Sequence, residues 1–593
     1  GWKNNLVART LITTAIEETW PKDKNEPVLF LGEWCKLYNR KSIWGDLNAN
    51  TESYHWDDRE KLHADYLYLQ KLHEELTVEL AVKLNEIHSV NHSIRYWKIL
   101  IGPWLGYFTQ MLFDRWFMLK QSIEKSNITA CKVIQRELIS VVPNDMASFN
   151  KIFVEDDWNE AIYGQLIERC WPELMLIERV QLQKMGKAEP VKIQKGWKNY
   201  LKFIINKLNG YLNILLPCKD NYFFISTYLP LKINTILQMR LGQFPRFWQT
   251  ESVPVVTLVQ LKREWKLDKH EAVLNSFEEV VKYMIPLHIP TAYLEGYTEL
   301  IEMTRHLPWD PHPKAIFTSN AYSADDVFKA WAAEKVKLKA PLMIGQHGGH
   351  FGMTPFAFHE EHQIDVADKW LSWGWSDPSN PKILPIGKFK DFGKTAKYNP
   401  KGGVLMVEMT MPRYSYHMYA APISRQWLDY YDDQILFIKK LPRDIQKELT
   451  VRLYSKDYGW NQKERWGNDL PNVKLDSGIK NIKTLIGNSR LYISTYNATT
   501  YLETLNWNIP TIIFWNCKHW ELKEEVKPYF DLLESVGIFH KTPESAAIQV
   551  DKIWNNVGQW WYEKKTQAAV NDFCHVFSRQ LNSPLEKIQN VFL

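Results

Sequence analysis

The sequence predicts an α/β protein made of two doubly wound units, each a mostly parallel sheet covered by helices on both faces. Three observations carry this expectation. Short apolar runs ending in polar residues alternate with stretches of helical period. That alternation occurs twice, on either side of a Gly-, Pro- and Lys-rich stretch from residue 369 to about 400, which reads as an interdomain linker. A chain of 593 residues is also too long for a single hydrophobic core.

From the amino terminus, LVARTLITTAIEETWP and PVLFLGEWC read as two strands that run into acids, Glu17-Glu18 and Glu33. From Asp57 to about Asn91 the pattern is helical: Leu62, Tyr66, Leu69, Leu72, Leu76, Leu80 and Leu84 recur every three or four positions among charges. Helical sequence continues to about residue 215, so about 55–220 reads as a large helical insertion in the first unit. NYFFISTYL is a buried strand, and KAIFTSN is another that stops at Asn320. SADDVFKAWAAEKVK is a helix with Ser323 as N-cap and Asp325-Asp326 in its first turn, where the helix dipole favours acids. PLMIGQ is the next strand. After the linker, GGVLMVEMT, LTVRLYSK, LYIST and TIIFW supply the strands of the second unit. The expected division is 1–395, 396–570, and a C-terminal helical segment, 571–593, that packs back on the first unit.

Composition excludes several classes. The chain is 45% hydrophobic and 24% charged, without repeats or low-complexity tracts, so it is globular. A net charge of +5 with no clustered basic stripe gives no reason to expect nucleic acid, while leaving room for an anionic substrate. Aromatic residues make up 14%, with 27 Trp, which serves core packing first and also suits a sugar-contacting cleft. The six cysteines (35, 131, 170, 218, 517, 574) have no CxxC pair and read as free thiols in a reducing compartment. The N-terminal stretch is charged throughout and lacks a signal peptide's apolar segment. The longest uncharged run, Ile99 to Phe113, is broken by Gly102, Pro103 and Gly106 and is too short to span a bilayer. A cytoplasmic protein is expected, with peripheral contact at the inner face of the membrane as an option.

Two stretches carry chemistry. In the second unit, LYIST ends in Ser494 and Thr495, and the turn Tyr496-Asn497-Ala498 opens a helix at Thr499-Thr500. Hydroxyls at a helix N-terminus beyond a strand end make an anion site, the alternative being a helix cap. Arg413 and Lys456, each just beyond a strand, would stand at the same sheet edge.

In the first unit, an apolar strand runs into Gly345-Gln346-His347-Gly348-Gly349-His350. The spacing fits no metal site: His359 and His362 are three apart, and the fifth position of a zincin motif is Gln363. Nor do the glycines match a phosphate loop. What remains is a sharp turn that projects His347 from a strand end, for acid–base work or for offsetting charge on a leaving phosphate. A buried structural histidine is the alternative. Glu17, Glu18, Glu33, Asp325 and Asp326 are the carboxylates placed to act as nucleophile or base.

The order of strand–Arg/Lys, the Ser/Thr turn and Glu503 followed by Pro510-x-Ile512 resembles the donor-nucleotide domain of GT-B glycosyltransferases. IGQHGG resembles the strand end of Kdo transferases, polysialyltransferases and CDP-polyol phosphotransferases. TTAIEETWP, LFLGEWC, YHWDDREKLHADY, FTSNAYSADD, GQHGGHFGM and SWGW resemble, over nearly the whole chain, a family of bacterial transferases associated with O-antigen clusters. The resemblance implies a GT-B type fold with two Rossmann-like domains facing a cleft. It also implies a CMP-activated ulosonic acid donor (Kdo, pseudaminic or legionaminic acid) and a surface-glycan acceptor. Classical sialyltransferases carry a His-Pro pair where this chain has Tyr454-Ser455-Lys456, a departure. The site implied comprises His347, Glu33, Asp325 and Asp326 for catalysis and Gln346, Gly348, Gly349, His350 and Asn320 for substrate. The nucleotide falls to Arg413, Lys456, Ser494, Thr495, Asn497, Thr499, Thr500 and Glu503. No metal or cofactor beyond the nucleotide sugar is expected. The rival activities are CDP-polyol phosphotransfer and a non-catalytic role in glycan assembly.

Overall fold

The computed structural model of this chain describes residues 7–593 apart from 174, 182–203, 205–206, 209, 213–214, 217–218, 256–257, 259–260, 262, 270–271, 391–395 and 581–583. The strands form three sheets. The first has the order β3-β2-β1-β4-β5, from β1 (Ala8–Ile12), β2 (Val28–Phe30), β3 (Ala49–Thr51), β4 (Asn127–Ile134) and β5 (Leu176–Val180). The second has the order β10-β9-β8-β7-β6, from β6 (Tyr222–Phe224), β7 (Ala315–Thr318), β8 (Leu342–Gly345), β9 (Lys369–Ser372) and β10 (Ile383–Pro385). The third has the order β13-β12-β11-β14-β15-β16, from β11 (Gly403–Val407), β12 (Leu449–Arg452), β13 (Lys474–Asp476), β14 (Ser489–Ser494), β15 (Thr511–Phe514) and β16 (Phe539–His540). The registered pairs run parallel, among them β1 with β4, β7 with β8, and β11 with β14. Parallel strands need helical crossovers and burial on both faces, which is why β7, β8 and β15 are buried at every position.

The α/β class is as expected, but there are three sheets where the sequence suggested two. The expected helical insertion, 55–220, contains β4, which pairs with β1, and β5, which pairs with β4, and the two complete a sheet with the N-terminal strands. These strands are hard to read locally. β4 follows a 32-residue helix directly, and β5 is a charged edge strand, LIERV, with little buried surface. The helical reading holds for α1 (Arg59–His88) and α2 (Ile94–Lys125), with α3 (Asp156–Cys170) beyond β4. Much of 182–218 lies outside the described residues.

The stretch expected as linker is also partly sheet. Trp370, Leu371 and Trp373 are fully buried in and beside β9, and a Gly-, Pro- and Lys-rich composition concealed that short apolar core. Residues 391–395 lie outside the described residues. α2 contains the uncharged run Ile99 to Phe113 and Pro103, and it is buried along nearly its whole length. Among the described residues no helix is long and apolar enough to cross a membrane.

α2 ties the sheets together. Arg115, with no exposed surface, donates to Ser415 Oγ (2.7 Å) and Ser415 O (2.9 Å) in the segment after β11. Gln110 accepts from Met418 N at 2.7 Å. The C-terminal helix α7 (Pro584–Phe592) sets Phe592 against Phe224 and Phe317 of the second sheet, and Val591 O accepts from Lys369 Nζ at 2.9 Å. Cys35, Cys131, Cys170, Cys517 and Cys574 are free thiols, and Cys218 lies outside the described residues.

Candidate functional site

In open parallel sheets ligands bind beyond the carboxyl ends of the strands, and here two such edges meet. β8 ends at Gly345, where a Cβ would fall 2.4 Å from the Phe389 ring, so only glycine lets the strand end pack there. Gln346 follows with 1% exposure. Its Oε1 accepts from Trp373 N (2.8 Å) and Trp375 Nε1 (3.0 Å), and its Nε2 donates to Gly348 O (2.8 Å). Its amide is therefore spent on bracing the turn, which makes Gln346 scaffold where substrate contact was expected. Gly349 N then donates to Thr499 Oγ1 at 3.0 Å, across from the third sheet. A Cβ on Gly349 would sit 2.2 Å from Ala498 O, so a side chain there would push the two units apart.

His347 is half-buried on this turn, with its ring near Phe351 (5.3 Å), His359 (5.8 Å), Tyr228 (6.1 Å) and Tyr322 (6.3 Å). Burial pushes its pKa down to about 4. A backbone hydrogen bond at Ser319 opposes this, and Lys390 lowers it further. The imidazole is thus neutral at physiological pH. Its Nδ1 is buried without a hydrogen-bond partner, so this nitrogen is the one open to a proton.

The imidazoles continue inward. His359, on α5 (Phe358–Val366), lies 5.8 Å from His347 and 5.5 Å from His417, which sits in the segment held by α2. Tyr107 of α2 stacks on His417 at 4.8 Å and lies 3.3 Å from His359 Nδ1 through its hydroxyl. His350, at a positive φ of 63°, stacks on Phe351 and meets Tyr419. Burial pushes His350 down to about 4 and His417 to about 3, and holds His359 well below its ordinary value. The cluster is uncharged, and among the described residues no group of His, Cys, Asp or Glu is placed to hold a metal ion. His417 escaped the sequence reading. Its signal, the ring-rich run RYSYHMY beyond β11, names no function until the fold brings it to α5.

On the facing edge, α6 (Thr499–Asn506) begins at the hydroxyl turn. Thr499 and Thr500 are half-buried, and Thr500 lies beside the phenols of Tyr492 and Tyr496. Asn497 is 2% exposed, its Oδ1 accepts from Tyr501 OH at 3.0 Å, and its Nδ2 has no acceptor. Two expected hydroxyls are spent internally: Ser494 Oγ donates to Tyr496 O, and Thr495 Oγ1 donates to Val407 O. Glu503 is buried, with Lys390 Nζ 3.3 Å and Lys388 Nζ 3.9 Å from its Oε1. Neither lysine stood out in the sequence.

Several expected residues lie elsewhere. Arg413 is an interior clamp: Nη2 pairs with Asp156 at 2.6 Å, Nε donates to Tyr458 O at 3.1 Å, and Nη1 donates to Trp34 O. Each of its three nitrogens makes one of these bonds, so it clamps the segment after β11 to Trp34 and Asp156. Lys456 is exposed and lies over the Tyr458 ring. Glu33 pairs with Lys36 at 2.8 Å beside the first sheet. Asp326 is 1% exposed, paired with Lys329 (2.7 Å), and accepts from Tyr293 OH and Met146 N. Asp325, not Ser323, caps α4 (Asp326–Lys337) by accepting from Phe328 N at 2.9 Å. Burial raises Asp325 to about 6, and its Oδ2 has no partner. Asn320 is exposed at the end of β7. The residues brought together are therefore His347, Gly348, Gly349, Asn497, Thr499, Thr500 and Glu503.

Solved structures that resemble the chain do so loosely. The wall teichoic acid polymerase TagF is 12% identical over 68% of this chain and 98% of its own, with a TM-score of 0.28. HepE of Anabaena, solved with UDP-glucose, is 10% identical over 53% and 87%, with a TM-score of 0.32. MurG of Acinetobacter baumannii is 10% identical over 50% and 77%, with a TM-score of 0.28. Likeness at this level decides neither fold nor function. No curated protein matches the chain. A family model described as LIC12162 family transferase, in contrast, matches residues 9–592. With that match running through all three sheets, the chain belongs to the LIC12162 family of transferases.

Proposed function

We propose that the chain is a glycosyltransferase of GT-B type. It moves a sugar from a nucleotide donor, a CMP-activated ulosonic acid, onto a bacterial surface glycan. The observation that carries this reading is the apposition of the Gly348-Gly349 turn and the N-terminus of α6, joined by Gly349 N to Thr499 Oγ1. A neutral imidazole on one wall faces a helix N-terminus with hydroxyls and an unpartnered amide on the other. Those are the groups needed to deprotonate an acceptor and to hold a phosphate.

In the proposed step, His347 Nδ1 takes the proton of an acceptor hydroxyl. The freed oxygen bonds to the anomeric carbon, and the bond from that carbon to the nucleotide's phosphate breaks with its electron pair staying on the phosphate. Thr499 can still donate its hydroxyl proton while accepting from Gly349.

Two expectations follow. Thr499→Val combined with Thr500→Val weakens CMP binding by roughly 1–3 kcal/mol through lost hydrogen bonds, read by calorimetric titration of folded protein. Unchanged affinity would remove α6 from the site. Activity also survives EDTA, because the charge on the leaving phosphate is met by protein groups; turnover lost to EDTA and restored by Mn²⁺ or Mg²⁺ would contradict this. The histidine–glycine turn equally suits a CDP-polyol phosphotransferase, which supplying each donor in turn separates.

A further inference from the structure

The segment after β10 reads Gly387-Lys388-Phe389-Lys390, and it runs along α6. Phe389 is fully buried, and the lysines on either side of it reach one and the same oxygen, Glu503 Oε1, at 3.9 and 3.3 Å. The two ammonium groups therefore stand together beside one carboxylate. The Lys388 side chain is 5% exposed and its ammonium lies over the Trp373 and Trp507 rings, so it is held in place by packing. The Lys390 side chain is 30% exposed and lies close enough to His347 to lower its pKa.

The pairing with Glu503 is loose. Its Oε1 is buried yet accepts no hydrogen bond, although an ammonium stands 3.3 Å away. A buried carboxylate oxygen in that condition is poorly satisfied, and an anion with more acceptor atoms would serve the Lys390 ammonium better. A second, independent sign lies just before the same helix. Asn497 Nδ2, in the turn that opens α6, is a buried donor with no acceptor.

We propose that Lys388 and Lys390 are phosphate-binding residues, and that Glu503 is the counter-ion they hold until a phosphate replaces it. This rests on the nucleotide-donor reading above and extends it to residues outside the helix N-terminus. Lys390 then stands between His347 and the helix, beside the phosphate that gains negative charge as the sugar leaves. Its ammonium is placed to offset that charge.

The test is calorimetric titration of the full chain with inorganic pyrophosphate, with CMP, and with cytidine as the phosphate-free control. Lys390→Met weakens pyrophosphate and CMP roughly tenfold or more, as expected for a lost hydrogen bond to a charged group. Glu503→Gln tightens both by removing the competing carboxylate, and cytidine binds all three proteins alike. Opposite signs from two neighbouring substitutions are not expected of residues that only support the fold. Wild-type protein that ignores pyrophosphate, or a Lys390→Met protein that binds it normally, overturns the proposal. Equal affinity in Glu503→Gln contradicts the exchange. If CMP binding depends on Thr499 and Thr500 but not on Lys390, the lysines are removed and the nucleotide reading stands. If pyrophosphate shows the expected pattern and no nucleotide binds, the anion site stands and the nucleotide reading falls.

Discussion

Replacing His347 with alanine is expected to lower turnover by roughly 10²–10⁴ while leaving the thermal midpoint close to that of the wild type. The stability half of this expectation comes from its surroundings. His347 is half-buried on a turn whose shape is set by Gln346 and the glycines, its Nδ1 makes no hydrogen bond, and the bond lost at the Ser319 backbone is worth about 1 kcal/mol. The activity half comes from its position two residues before Gly349, whose N–H donates to Thr499 across the two sheets. Its pKa near 4 means the ring is already in the proton-accepting form at neutral pH, so activity has no requirement for alkaline conditions on its account. An alanine variant that keeps full turnover, or that unfolds early, would make the ring a packing residue.

Acid is expected to destabilise the protein steeply as pH falls below 6.5. Burial holds His73, His347, His350 and His519 at about 4 and His288 and His417 at about 3, with His359 and His362 well below 6.5. Unfolded, each returns to about 6.5 and takes up a proton there. The stability tied to keeping them neutral is therefore intact above pH 6.5 and lost as pH falls toward the folded values. Four carboxyls act in the opposite sense. Burial raises Asp325 and Asp433 to about 6, Glu360 to about 7 and Glu408 to about 8, so near pH 5.5 they carry protons only when folded. Counting these groups alone, eight imidazoles against four carboxyls leave a net uptake of roughly four protons on unfolding, on the order of 5 kcal/mol per pH unit. That is comparable with the whole stability of a typical domain. Denaturant midpoints measured at pH 7.5, 6.5 and 5.5 check it. A flat profile would mean that the imidazoles are solvated.

How much of this was legible in the sequence depends on the distance over which each feature is specified. β7, β8, β11, β14 and β15 are short apolar runs with polar ends, and such strands announce themselves within six residues. β4 and β5 do not, because β4's partner β1 is more than a hundred residues away, β5 pairs with β4 rather than with β1, and their own composition is mixed. The same holds in the site. The Gly348-Gly349 turn and the Thr499-Thr500 helix start are local patterns, and the structure brings them into contact. Arg413 shows the limit. A cation just beyond a strand reads as a phosphate ligand until Asp156, at the start of α3, is seen to hold it at 2.6 Å. Lys388 and Lys390 show the converse, since two lysines in a Lys-rich stretch gain meaning only from Glu503, more than a hundred positions later. His417 likewise needed α2 and α5 to place it.

The most direct measurement is a donor panel. Purified protein is incubated with CMP-, CDP- and UDP-linked donors and a surface-glycan acceptor, and both released nucleotide and extended glycan are followed. The account predicts that a CMP-ulosonate releases CMP in step with sugar appearing on the acceptor, in wild type and not in His347→Ala. Transfer of a polyol phosphate from a CDP-linked donor, or no release and no binding with any nucleotide, would contradict it.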